Sequence, residues 1–78
     1  MTEAALVDAL GKLCPVPIIE TSKAIKAVPP GALVRVLADD PGAERDLVDW
    51  TRATRHAIVA LNRGPGHRID VMVRRRDS

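Results

Sequence analysis

Few side chains in this sequence could do chemistry, and the foremost is the single cysteine, Cys14, in the run Leu13-Cys14-Pro15-Val16-Pro17. Proline fixes φ near about −65° and removes a backbone donor, so two of them so close together hold the backbone still around the thiol. A free cysteine is most often a small buried hydrophobe; one at a proline-fixed, exposed helix start is expected to be reactive instead. Dithiol exchange within the chain needs a second thiol, and a zinc site needs about four ligands, so the cysteine count excludes both. A cysteine hydrolase needs a general base, for which His56 and His67 are the only histidines. Both fall at expected strand starts, where solvated surface histidines are common. Asp39 and Asp40 could form an acid/base pair, but adjacent aspartates at a helix start are explained by capping. The simplest job left for Cys14 is to accept a group on sulfur and hand it on.

The chain must position that thiol with little material. Its 78 residues make one domain spanning 1–78, which buries about 60% of the surface its unfolded chain exposes and has a stability of roughly 4–12 kcal/mol. A lone cysteine permits no internal disulfide, which points to the reducing cytoplasm. The start, MTEAALVDALGK, lacks a basic region followed by a long apolar run, and no segment approaches the roughly 20 apolar residues of a membrane span, so a soluble protein without a membrane partner is expected. The net charge is +2 and the pI about 9.2, which permits an acidic partner or RNA and selects neither. With no Tyr, no Phe and one tryptophan, Trp50, the chain is poorly equipped to stack nucleic-acid bases.

Prolines and glycines divide the chain into six elements. Ala4 to Asp8 reads as a short strand. Pro15 to Val28 reads as a helix whose buried face holds Ile18, Thr21 or Ser22, Ile25 and Val28, with Glu20, Lys23 and Lys26 outside; Pro29-Pro30-Gly31 stops it. Ala32 to Ala38 is nearly continuous apolar sequence, as in an interior strand. The second helix opens with Asp40 as N-cap and Pro41 at its first position, burying Ala43, Leu47, Trp50 and Thr54. Ala57 to Asn62 and Arg68 to Arg74 are strands joined through Gly64-Pro65-Gly66, and Ile69, Val71 and Val73 alternate with polar neighbours. The order βαβαββ predicts a two-layer α/β (α+β) sandwich: about four strands in a mixed sheet, with both helices on one face.

On this plan Cys14 lies at or beside the N-cap of the first helix. The positive end of the helix dipole is expected to lower its pKa from about 8.5 toward 3.5–7.5, with the Val16 and Ile18 N–H groups facing the sulfur. Lys23 and Lys26 on the outer helix face are candidate docking residues for an acidic partner. Arg74-Arg75-Arg76 is expected to be a mobile, solubilising end.

These residues carry a family resemblance. Leu10-Gly11-Lys12-Leu13-Cys14-Pro15-Val16-Pro17, Lys23, Pro30-Gly31 and the run Ala38-Asp39-Asp40-Pro41-Gly42-Ala43-Glu44-Arg45-Asp46 resemble the TusA (SirA-like) sulfur carrier family over essentially the whole chain. The resemblance implies that Cys14, with Pro15 and Pro17 as its motif partners, accepts sulfane sulfur as a persulfide from a cysteine desulfurase or a rhodanese. It implies onward transfer to a downstream relay protein, feeding tRNA thiolation, sulfur oxidation or molybdenum-enzyme maturation. It implies a sulfurtransferase-type carrier rather than a stand-alone turnover enzyme, with no cofactor and no metal. Where many members have Trp-Cys in the second helix, this chain has Trp50-Thr51, which supports a pure carrier. Two other classes remain open: a small basic nucleic-acid-binding module using Arg63, Arg68, Arg74, Arg75 and Arg76, and a thiol-based regulator responding to modification of Cys14.

Overall fold

The computed structural model describes residues 3–77. The chain runs β1 (Glu3–Ala9), α1 (Val16–Ala27), β2 (Leu33–Ala38), α2 (Ala43–Thr54), β3 (Ala57–Arg63) and β4 (Ile69–Arg74). The strands form one sheet in the order β1-β2-β4-β3. Because β1 is parallel to β2 while β4 is antiparallel to both β2 and β3, the last strand fills a gap left between two parallel neighbours. This is the mixed, four-stranded βαβαββ sheet that the sequence predicts, with element bounds displaced by one or two residues.

The alternation along each strand decides where the core lies. Val7 and Ala9, Val34, Val36 and Ala38, and Ile69, Val71 and Val73 are buried in one cluster with Ile25 and Val28 of the first helical segment and Ala43 and Leu47 of the second. Residues of one parity from three strands thus meet both helices, which places the helices together on one face of the sheet. The opposite face carries Leu6, Arg35, Met72 and Ala60 in register. Arg35 there binds Asp70 through two hydrogen bonds, Nε to Oδ1 at 2.9 Å and Nη2 to Oδ2 at 2.5 Å. The guanidinium holds the Asp70 carboxyl below the usual carboxylate range. Edge strand β3 has an irregularity between Ile58 and Ala60 that leaves Val59 exposed, a device that blunts pairing with other chains.

Both helices bury a narrower stripe than their apolar pattern suggests. In α1 the buried positions are Pro17, Thr21 and Ile25, while Ile18 is only half-buried. In α2 they are Ala43, Leu47 and Thr51; Trp50 and Thr54 are half-buried, Trp50 packing against the core cluster with its ring tilted over His56, centroids 5.2 Å apart. The buried threonines fold their hydroxyls onto the helix, Thr21 to the Pro17 carbonyl at 2.7 Å and Thr51 to the Val48 carbonyl at 2.9 Å, so neither costs an unpaired donor.

The arginine-rich end is docked, contrary to the expectation of a mobile tail. Arg75 pairs with the backbone before β2: its N–H donates to the Ala32 carbonyl and its own carbonyl accepts from the Gly31 N–H, both at 2.9 Å. The Arg75 guanidinium sits on the carbonyls of Lys26 and Val28, and that of Arg76 on the Thr54 carbonyl. Each helix C-terminus thereby gains a cation on its unpaired carbonyls, where the dipole favours one. The Arg76 N–H donates to His56 Nδ1 at 3.1 Å, which requires that nitrogen to be unprotonated. Burial, then the charges of Arg76 and Arg75, lower the His56 pKa. A base with a depressed folded-state pKa contributes stability that is full above its unfolded value of about 6.5 and is lost as the pH falls below it. Acidification from about pH 7.5 to about pH 5.5 is therefore expected to lower the melting temperature more in the parent chain than in His56→Asn, which keeps an acceptor but does not titrate; equal losses would contradict this contact.

Candidate functional site

The register brings Ala9, Ala38, Ile69 and Arg63 to one end of the sheet, and the loops leaving that end build the site. After β1 the chain turns tightly: the Leu10 N–H donates to Asp8 Oδ1 at 3.2 Å, and the Lys12 N–H to the Ala9 carbonyl at 3.1 Å. Gly11 takes φ +77, a left-handed conformation that favours glycine. Its N–H donates to Asp39 Oδ1 at 2.9 Å, tying this loop to the one after β2. Asp39 is therefore a loop staple, and among the described residues it makes no hydrogen bond to the thiol.

Pro15 is the N-cap of α1 and Pro17 lies in its first turn, following a cis Cys14–Pro15 peptide. The two prolines do different work. Pro17 is buried beneath the helix start, while Pro15 is exposed beside the cysteine. Cys14 is itself exposed, and Leu13 next to it is 73% exposed, so the sulfur meets solvent alongside an apolar side chain.

The electrostatics of the thiol differ from those expected of a helix N-terminus. Cys14 Sγ donates to Asp46 Oδ2 at 2.7 Å, and its pKa is raised rather than lowered: first by that hydrogen bond, then by partial desolvation and the charges of Asp46 and Asp40. The cause is the carboxylate beside the sulfur, and the prolines leave little to oppose it. They delete the N–H groups at 15 and 17, and the Val16 N–H is spent on the Leu13 carbonyl at 2.9 Å, so the helix start offers little to a sulfur anion. The dominant neighbour comes instead from the first turn of α2, 32 residues further along the chain. Nothing local to Leu13–Pro17 signals Asp46; only the fold brings it there.

Asp40 does not cap α2 directly. The helix begins at Ala43 with Gly42 as N-cap, and Asp40 shapes the turn before it, its Oδ2 accepting from the Gly42 N–H at 2.9 Å and its carbonyl from the Ala43 N–H at 3.0 Å. Pro41 accordingly sits in the turn, outside the helix. His56 precedes β3 at the far end of the sheet from Cys14. His67 lies at the near end, in the Gly64–Arg68 connection, beside Asp40, Glu44 and Arg63; neither histidine makes a hydrogen bond to the thiol among the described residues. No group of three or more His, Cys, Asp or Glu side chains among them converges to hold a metal ion.

Comparison with known proteins bears on the same region. The family model described as Sulfurtransferase TusA matches residues 5–75, which covers both helices, three strands in full and all of β1 but its first two residues. The chain belongs to the TusA family. A candidate sulfur carrier protein of Archaeoglobus fulgidus is 34% identical over 58 residues, covering 74% of this chain and 80% of that protein. The candidate sulfur carrier protein YrkI of Bacillus subtilis is 36% identical over 59 residues, 76% of this chain and 79% of its own length. In three dimensions, the crystal structure of a SirA-like protein from Desulfitobacterium hafniense superposes with a TM-score of 0.78 at 25% identity, covering 90% of this chain and 95% of the other. In this TusA chain Thr51 is buried.

The two lysines singled out as docking candidates line different grooves. Lys23 is exposed, pairs with Glu20 at 3.8 Å, and borders a groove between α1 and β1 with Leu6, Asp8, Lys12 and Val16. Lys26 lies on the other flank of α1, in a groove with Trp50, His56 and Arg75. Lys12 and Val16 flank the Cys14 loop in the chain, so the Lys23 groove borders that loop.

Proposed function

We propose that this chain is a single carrier domain that holds sulfane sulfur as a persulfide on Cys14 and passes it from a cysteine desulfurase or rhodanese to a downstream protein of a sulfur relay, in the reducing cytoplasm. The observation that carries the reading is the accessible Cys14 thiol, set on a proline-fixed loop with no second thiol in the chain, within a chain of the TusA family. In loading, Cys14 Sγ attacks the outer sulfur of the donor's persulfide. The new S–S bond forms as the donor's S–S bond breaks; that bond's electron pair leaves on the donor's inner sulfur, and the Cys14 proton ends on the departing thiolate. No oxidant or reductant is consumed, and the same exchange run with the acceptor's thiol empties the carrier. The acceptor, whether it serves tRNA thiolation, sulfur oxidation or molybdenum-enzyme maturation, must reach the loop from Leu13 to Pro17.

The test is to incubate the chain with a cysteine desulfurase and cysteine, and separately with a loaded rhodanese, and to read the intact mass. A gain of one sulfur atom that reductant removes is the expected result; an unchanged mass with both donors contradicts the reading. The arginines of a nucleic-acid interface are largely engaged within the fold, Arg63 by Glu44 at 2.7 Å and Arg75 and Arg76 by helix carbonyls, which favours the carrier.

The docking face follows from the groove. Lys23→Glu is expected to slow association with an acidic relay partner by about 3–10-fold at low salt, since rim charges act mainly on the on-rate. Lys26→Glu, on the flank facing away from the loop, is expected to do less. Stopped-flow transfer from pre-loaded variants reads both; equal rates for parent and Lys23→Glu would remove the groove from the account.

A further inference from the structure

The carrier reading leaves one contact unexplained. A carboxylate disfavours the thiolate that attacks, yet Cys14 Sγ is hydrogen-bonded to Asp46 Oδ2 at 2.7 Å. A second carboxylate stands close by, because the turn at Gly42 gathers both: a Cβ built there would lie 3.3 Å from Asp40 Oδ2 and 3.9 Å from Asp46 Oδ2. Asp46 is fixed by its backbone, whose N–H donates to the Gly42 carbonyl at 3.0 Å, and Asp40 by its bond to the Gly42 N–H. The acidic pair is thus gathered at the α2 start, with Asp46 bonded to the sulfur and Asp40 near enough to act on it through its charge.

We infer that Asp46 is a positioning residue that distinguishes the empty carrier from the loaded one, holding the empty thiol by its proton and turning the loaded persulfide outward. The inference rests on the carrier reading. In the empty state Sγ has a proton to donate, and the carboxylate accepts it, so Cys14 is kept as a thiol and is slow toward oxidants and stray electrophiles. Once Sγ is bonded to a second sulfur it has no proton to give and the hydrogen bond is lost. The outer sulfur, as an anion, is repelled by Asp46 and by Asp40, and the solvent side beside exposed Leu13 is where it can go. The carboxylates therefore slow the empty thiol toward stray electrophiles, leaving it to a docked donor that displaces the Asp46 contact, and present the loaded persulfide to the acceptor. The charged groups acting on Cys14 are Asp46 and Asp40, both from the strand-to-helix turn and helix packed across the loop.

Alkylation by iodoacetamide tests this with the full chain, using polysulfide to install the persulfide so that no donor enzyme is needed. In Asp46→Asn the empty thiol is expected to alkylate several-fold faster near pH 7, because removing the carboxylate charge raises the thiolate fraction, and the ratio of loaded to empty reactivity should shrink correspondingly. Asp46→Glu should restore slow alkylation, which a merely structural role for Asp46 would not do. An unchanged alkylation pH profile and ratio in Asp46→Asn would overturn the inference. So would a parent midpoint at or below that of free cysteine, a measurement that stands even if the variant folds poorly. If enzymatic donors fail to load the chain while these alkylation results hold, the carrier reading falls and the Asp46 contact does not.

Discussion

Cys14→Ser is expected to lose sulfur loading and forwarding completely, with a stability change of no more than about 0.5 kcal/mol. The two outcomes separate because the thiol is exposed and contributes nothing to the core, while a hydroxyl of similar size can still donate to Asp46. A serine oxygen is no substitute in the chemistry, since the step needs a sulfur able to share an S–S bond and to leave again as a thiolate. Loading of the serine variant at the parent level would move the sulfur to another residue and end the assignment of Cys14. Equilibrium denaturation run beside the loading assay guards against reading an unfolded variant as an inactive one.

Leu47→Ala is expected to be the opposite case, a loss of stability without direct effect on the sulfur. Leu47 has no exposed surface and belongs to the cluster where α2 meets the sheet. Removing buried methyl groups from such a site costs about 2–5 kcal/mol, depending on how far the neighbours collapse. For a domain of this size the total is only roughly 4–12 kcal/mol, so the melting temperature should fall by at least about 8 °C. The denaturation midpoint should shift with little change in slope. A loss under about 1 kcal/mol would mean that α2 does not pack on the sheet through Leu47. Because α2 also carries Asp46, the folded fraction of this variant is expected to keep the slow alkylation of the parent.

What was legible in the sequence and what was not follows from how local each signal is. The alternation of Ile69, Val71 and Val73 is a property of neighbouring residues, and so is the branched apolar run from Leu33 to Ala38; both survive into the buried face of the sheet. The Pro-Pro-Gly stop after α1 is likewise local. Helix faces were read with less accuracy, because 3.6-residue periodicity leaves several stripes close in hydrophobicity. The presence of Trp50 drew the expected α2 face toward its own side, while packing chose Ala43, Leu47 and Thr51. Asp40 was read as a cap because its type and place fit one; only the backbone shows it bonding Gly42 in the turn before the helix. Of the site, the cysteine and its prolines were visible and the electrostatics were not. The dipole of the helix that Cys14 begins is a local feature, whereas the field at the sulfur is set by Asp46, from the second helix. The docking of Arg75 and Arg76 on two helix ends is non-local in the same way, and a basic chain terminus gives no sign of it.

The central claim is that Cys14 carries sulfur between proteins, and one measurement bears on it most directly. The chain is loaded with isotopically labelled sulfur from a desulfurase, separated from the donor, and mixed with a relay acceptor bearing a free cysteine. The account predicts that the label leaves Cys14 and appears, one atom per turnover, as a persulfide on the acceptor's cysteine. Label that stays on the carrier, or that leaves only as free sulfide without reaching the acceptor, would contradict it.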